Sequence, residues 1–164
     1  MREEIKMQNY SFDPDYLRDK YRQERDKRLR EDGNDQYQEV SGDFSYFVDD
    51  PYINDAIERQ ALTDSYEIVI IGGGFGGVLA ASRLKEAGFS DFKIIEKGGN
   101  FGGTWYWNRY PGASCDIESY IYFPLLEETK FIPGKKYTNA PETLEYFDVI
   151  SDKFGLNEHA IFQT

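Results

Sequence analysis

The strongest hydrophobic pattern in the chain runs from Tyr66 to Ile71, Tyr-Glu-Ile-Val-Ile-Ile, a short β-branched run that predicts a strand. It opens into Gly72-Gly73-Gly74-Phe75-Gly76-Gly77. The next stretch, from Val78 to Ala87, sets helix formers at helical spacing and predicts a helix, with Gly88 as its C′ residue. Phe92-Lys93-Ile94-Ile95 predicts a second strand ending at Glu96. Further on, Pro141-Glu142-Thr143 opens a helix expected to run through Lys153. Leu144, Phe147, Val149 and Ile150 give it an apolar face, and Gly155 stops it before a short tail from Ala160 to Thr164.

Upstream of these elements the pattern weakens. Residues 1–12 are polar, without a clear period, and are expected to fray. Asp13-Pro14 is a good N-cap and N1 pair, so Asp15 to Arg30 predicts a charged, solvated helix ending near Gly33, with Tyr16, Leu17, Tyr21 and Leu29 as its few apolar side chains. Asp15 and Asp19 should face Arg18 and Arg22, and Lys20 should pair with Glu24. Residues 34–65 mix aromatic and acidic positions, among them Tyr37, Phe44, Tyr46, Phe47 and Tyr52, which suggests an arm packed on something. The expected fold is therefore α/β: an incomplete Rossmann-like βαβ dinucleotide-binding domain over 63–164, preceded by a charged helical and aromatic extension over 1–62.

The glycine turn carries the candidate chemistry. Gly72, Gly74 and Gly77 satisfy G-x-G-x-x-G between a strand and a helix. The first allows the sharp turn, the second lets backbone approach a pyrophosphate, and the third lets helix pack on strand. The helix N-terminus adds unpaired N–H groups and the positive end of its dipole. Glu96 stands about 20 residues past the turn, where a ribose hydroxyl would be held. Adenine-dinucleotide binding follows; a βαβ unit with a surface glutamate is the plainer alternative.

Composition narrows this further. The 164 residues fit one domain by size, with 40% hydrophobic and 16% aromatic content. A net charge of −11 argues against a nucleic-acid partner or an anionic membrane surface. No run approaches the ~18 apolar residues of a membrane span, and Met1-Arg2-Glu3-Glu4 does not open a signal peptide, so a cytoplasmic protein is expected. A single cysteine, Cys115, and a single histidine, His159, exclude an internal disulfide and leave little for a metal site.

After Glu96 and Lys97, glycines at 98, 99, 102 and 103 rule out a regular element and allow another close approach of backbone to ligand. Both tryptophans follow in Thr104-Trp105-Tyr106-Trp107, with Asn108-Arg109-Tyr110-Pro111-Gly112 beyond them. This cluster suits the wall of a planar ring; equally, it could fill the core beneath a loop. Asp116 and Glu118, two apart, suggest acid–base chemistry only weakly.

These residues resemble a known family. The turn at 72–77, Glu96-Lys97 and above all 102–113 with Cys115-Asp116-Ile117-Glu118-Ser119 are similar to the N-terminal part of Baeyer–Villiger monooxygenases, flavin enzymes that use NADPH and O₂ to insert oxygen beside a ketone carbonyl. The similarity spans residues 66–164, and Phe12-Asp13-Pro14-Asp15 onward is similar to the N-terminal arm of the larger members. The resemblance implies that Gly72, Gly74 and Gly77, with Phe75 and Gly76 between them, hold the FAD pyrophosphate. It assigns Glu96 to the adenosine ribose, with Lys97 beside it as a further cofactor-binding candidate. Thr104, Trp105, Tyr106, Trp107 and Tyr122 would line the flavin. Asp116 would sit near flavin and nicotinamide as the catalytic candidate, paired in the family with an arginine from later in the chain. Ser114 stands where many members carry arginine, so the resemblance does not carry an NADP-phosphate or substrate role over to that position.

Against the family pattern, the sequence lacks the second G-x-G-x-x-G unit for NADPH, the histidine-bearing signature and the arginine partner. The expectation is thus a fragment, inactive alone, of an enzyme that takes a small ketone and O₂ and needs the missing remainder as partner. Two other readings stand beside it: another two-dinucleotide flavoprotein, N-hydroxylating or reductase in type, and a non-catalytic protein that binds a nucleotide or uses its arm for a partner.

Overall fold

The computed structural model describes residues 12–164, and these divide into two compact units, residues 12–48 and Asp49–Thr164. The expected fraying of residues 1–12 lies outside the described residues except at Phe12.

In the first unit, helix α1 spans Pro14–Asp26, and the Asp13 carboxylate caps it by accepting from the Asp15 and Tyr16 amides. It stops four residues short of Arg30. None of its residues is buried, so continuing the helix gains no apolar contact and only exposed ion pairs, each worth at most about 1 kcal/mol. Arg18–Asp15 and Arg22–Asp19 form as the spacing predicts, whereas Glu24 pairs with Lys27 and Arg28 instead of Lys20. Two short 3₁₀ turns follow, Gly33–Gln36 and Gly42–Val48, where Phe47 stacks on Phe44 and meets Tyr46 at a tilt, all three staying exposed.

The second unit is built on strand β1 (Ile68–Ile71), helix α2 (Phe75–Glu86) and strand β2 (Phe92–Ile95), the predicted βαβ order. The strands are parallel, with Ile68 opposite Phe92 and Ile71 opposite Ile95. Short helices α3 (Thr104–Trp107), α4 (Ser119–Tyr122) and α5 (Leu126–Thr129) lead to the long α6 (Ala140–Phe154), and β3 (Ala160–Ile161) adds in parallel beside β2. The sheet order β1-β2-β3 is that of an open Rossmann-like sheet. Residues 49–62, grouped by sequence with the extension, belong to this unit, because Tyr52, Ile57 and Arg59 hydrogen-bond to Trp107, Gln163 and Phe162.

Two details set the site. Helix α2 starts at Phe75, three residues before the predicted Val78, so Gly76 and Gly77 are already helical. A side chain on Gly77 would collide with the Gly72 carbonyl oxygen, and only its absence lets α2 leave the sheet at this angle. Helix α6 matches its prediction to within a residue or two. The Asn139 side chain accepts from the Glu142 amide at its start, and Gly155 ends it at φ 64°.

The core lies between one face of the sheet and helices α2 and α6. Phe92, Ile94, Val78, Phe147 and Ile150 are fully buried there, each contributing about 1.5–3 kcal/mol by transfer from water. Phe75 stacks on Phe147 at 4.2 Å and Phe123 on Tyr146 at 4.9 Å. The other face is open: Ile71 is 88% exposed. No helix among the described residues is long and apolar enough to cross a membrane.

Adjacent glycines in one helix give a contrast. Gly77→Ala should lower stability by about 3 kcal/mol through overpacking, whereas Gly76→Ala, whose methyl group meets nothing within 4 Å, should stay within about 1 kcal/mol of wild type. Urea unfolding midpoints check both.

Candidate functional site

The site forms where β1 and β2 end on the same edge of the sheet. Gly72 turns the chain sharply at φ 98°, its amide donating to the Ile95 carbonyl at 2.7 Å. Gly74 then caps α2 with no side chain, so the first-turn N–H groups, which have no acceptor inside the helix, meet no capping competitor. The glycine segment after β2 folds back over this turn. Gly102 donates to the Gly73 carbonyl at 3.0 Å, and Gly103, at φ 53°, lies so close that a Cβ on it would stand 2.7 Å from the Gly74 Cα. Two glycine turns thus touch backbone to backbone beside the positive end of α2.

Glu96 joins them. It is buried, and its carboxylate accepts from the Gly73 amide at 2.5 Å and the Gly98 amide at 2.6 Å. The sequence singles out its position correctly as the end of β2, but here both oxygens serve the backbone of the two turns. Lys97 is exposed, its ammonium 5.5 Å from the Trp107 ring centre.

The aromatic cluster after Gly103 is divided by its helical turn. Thr104 and Trp105 line a cavity of about 490 Å³ together with Asn108, Ser114, Cys115, Asp116 and Tyr122. The Trp105 indole N–H donates to the Tyr122 hydroxyl at 3.2 Å. Tyr122 in turn meets Phe75 edge-on at 5.3 Å, linking the cavity to the first turn of α2. Tyr106 points the other way. Its buried ring lies on Gly98, and its hydroxyl donates to Asp50 at 2.6 Å. Burial, then the hydrogen bond to Asp50, push its phenol above the ordinary value. Trp107 is half-buried and outside the cavity. A second cavity, about 630 Å³, runs from Arg109–Ala113 along α6 as far as Asp148, and its Leu144 wall lies against Gly102.

Of the two acidic candidates, Asp116 is exposed and lines the 490 Å³ cavity. Glu118 is engaged elsewhere: Lys136 at 2.6 Å and the Tyr120 hydroxyl hold its carboxyl below the usual carboxylate range. Beneath Asp116, Cys115 is buried against Thr138, whose hydroxyl contacts Ser119 at 3.0 Å and Thr143 at 3.3 Å. This hydroxyl chain ties the cavity floor to α6. Ser114 forms a bridge with Asn139.

The structure therefore brings Gly72, Gly74, Phe75, Gly76 and Gly77 to one turn, sets Glu96 behind it, and collects Thr104, Trp105, Asp116 and Tyr122 around one cavity. Tyr106, Trp107 and Lys97 lie outside that cavity. Sequence reasoning missed Asp50, Tyr52 and Arg109, which gather around Tyr106; the Asp50-Pro51 pair was the available signal, but nothing local says where it docks.

Residues 70–132 match the family model described as an NAD(P)-binding Rossmann-like domain. A Baeyer–Villiger monooxygenase of Stachybotrys chlorohalonatus is 45% identical over 96% of this chain, and one of Streptomyces coelicolor 43% identical over 90%. The chain spans about a quarter of the length of these relatives, 25% and 24%. Among solved structures, the polycyclic ketone monooxygenase of Thermothelomyces thermophila superposes over 91% of this chain and 25% of its own, with a TM-score of 0.73 at 40% identity. An OTEMO complex with FAD and NADP superposes over 60% of this chain and 19% of its own, with a TM-score of 0.56 at 34% identity.

Two outcomes follow from the geometry. Glu96→Gln replaces one carboxylate oxygen with a donor facing a backbone N–H, and should cost about 2 kcal/mol in urea unfolding. The raised Tyr106 phenol favours the protonated form in the folded state, so its contribution is complete below the unfolded value of about 10 and is lost as pH climbs past it. Unfolding measured between pH 9 and pH 11 should show stability falling, and Tyr106→Phe should flatten that fall.

Proposed function

The chain belongs to the Baeyer–Villiger monooxygenases as the counterpart of their N-terminal region, and we propose that it forms the FAD-binding portion of such an enzyme, one that converts ketones to esters or lactones with NADPH and O₂. The observation that carries this reading is the backbone contact between Gly74 and Gly103 at the open N-terminus of α2. A Cβ on Gly103 would stand 2.7 Å from the Gly74 Cα, so glycine there lets the two turns meet beside the helix end, which supplies amide donors and a favourable dipole to a pyrophosphate.

Bound FAD would supply hydride acceptance from NADPH and the activation of O₂. The chain's own residues bind and orient. The amides after Gly74 take the phosphates, and Glu96, at the end of β2, stands next to where the adenosine ribose would lie. Each carboxylate oxygen accepts one backbone amide, from Gly73 and Gly98, and keeps acceptor capacity for a ribose hydroxyl. Trp105, fixed through its N–H to Tyr122, forms one wall of the cavity, and Thr104 and Tyr122 form others. Asp116 presents a carboxylate to the same space, where it can hold a cationic side chain or the nicotinamide carboxamide. Tyr106, Trp107 and Lys97 support the site from outside the cavity. The chain spans a quarter of its relatives' length, so turnover, the ketone and a cytoplasmic location belong to the same proposal.

Titration with FAD tests the reading. The chain should quench flavin fluorescence, and FAD at 100 times its dissociation constant should raise stability by about 2.7 kcal/mol. Gly103→Ala, forced onto Gly74 at a positive φ, should weaken FAD binding at least tenfold while keeping the helical circular dichroism. A response to NADP with none to FAD would overturn the FAD assignment.

A further inference from the structure

The glycine segment after β2 has a mechanical problem. With four glycines among the six residues 98–103 it has large backbone freedom and no regular element to fix it, so its conformation must be imposed by what packs on it. One side is held by Glu96 and Gly73. The other side is held by Asp50-Pro51-Tyr52-Ile53, which the proposed function does not use.

Asp50 Oδ2 accepts from the Gly99 amide at 3.1 Å and from the Tyr106 hydroxyl at 2.6 Å, while Oδ1 accepts from the Tyr52 amide at 2.9 Å. A Cβ on Gly99 would collide with Ile53, so this position is glycine because the arm lies directly on it. Arg109 sits between two rings, its guanidinium carbon 3.9 Å from the Tyr52 centre and 4.5 Å from the Tyr106 centre. The same side chain donates from Nε to the Tyr106 carbonyl at 2.8 Å, and the Tyr52 hydroxyl donates to the Trp107 carbonyl at 3.2 Å. Apart from the Tyr52 amide, which closes the arm's own turn, these contacts end on the Gly99 amide or on α3 and Arg109, two residues beyond it. The opposite side of α3 carries Thr104 and Trp105 into the cavity.

From this we infer that Asp50 and Tyr52 are positioning residues of the dinucleotide site: they clamp Tyr106 and Arg109 from outside, and so set the Gly98–Gly103 turn against Gly74 and Trp105 against the cavity. The inference rests on the FAD reading of that site. It makes residues 50–53 part of the binding apparatus, although they lie outside the βαβ unit and touch no ligand position.

The chain's two tryptophans, Trp105 and Trp107, both lie in α3, so intrinsic fluorescence reports the clamp without any cofactor. In Asp50→Ala the tryptophan emission should shift to the red and acrylamide quenching should rise, with far-ultraviolet circular dichroism unchanged. FAD binding should weaken about tenfold, the worth of a lost charge-assisted hydrogen bond. Tyr52→Ala, which leaves every sheet hydrogen bond in place, should move both signals in the same direction, and it decides the matter if Asp50→Ala fails to fold. Unchanged tryptophan signals in a folded variant, or unchanged FAD affinity where the wild type binds FAD, would overturn the clamp alone. A wild-type chain that binds no FAD would overturn the reading of the site and the inference with it.

Discussion

Everything in the second unit depends on how closely backbone can approach backbone at two points. Gly77 lies on the Gly72 carbonyl, and Gly103 lies on Gly74. The first contact fixes the angle at which α2 leaves β1, and therefore which residues of α2 reach α6. Val78 and Ala81 come down onto the sheet because the helix begins against the strand instead of a side chain's width away. The second contact brings the segment after β2 over the end of that helix. Neither contact gives much energy in itself. Glycine costs roughly 0.5–1 kcal/mol of conformational entropy relative to alanine in a regular element, and the burial of Phe92, Ile94, Phe147 and Ile150 offsets that cost.

Glu96 converts the two contacts into one object. A buried carboxylate without partners would be prohibitive, so its presence at the end of β2 requires donors on both sides. Those donors are the amides of Gly73 and Gly98, one from each glycine turn. The same two oxygens thus tie the two glycine turns to each other at the end of β2.

The sequence made the βαβ core legible because its signals are local. Strand β1, the turn, strand β2 and α6 follow from β-branched runs, glycine spacing, and Pro141 as opener with Gly155 as stop, each a matter of a few adjacent residues. The early start of α2 was hidden because glycine in a first turn reads as loop, and only the Gly72 carbonyl above Gly77 explains it. Helix α1 ended early for the opposite reason: charge pairs at helical spacing give a pattern, but exposed pairs do not extend a helix that buries nothing. The grouping of residues 49–62 was not legible, since Tyr52, Ile57 and Arg59 find partners some fifty to a hundred positions away.

The aromatic block 104–107 shows how far a motif carries. As a sequence it is one cluster, and two readings of it, wall of a ring site or filler beneath a loop, are equally open. As a helical turn it cannot be one cluster, because residues on adjacent positions of a helix point about 100° apart. Trp105 goes to the cavity with Tyr122, and Tyr106 goes to the outer side with Asp50 and Arg109. Neither reading covers the whole block, since Trp105 lines a cavity while Tyr106 is packed beneath the glycine segment. The buried Tyr106 ring is what makes the outward half more than filler: lying across Gly98, it transmits the position of the arm to the turn that faces Gly74. A site that depends on an unrestrained glycine segment needs such a brace, and here the brace is built from the same short helix that presents the cavity wall.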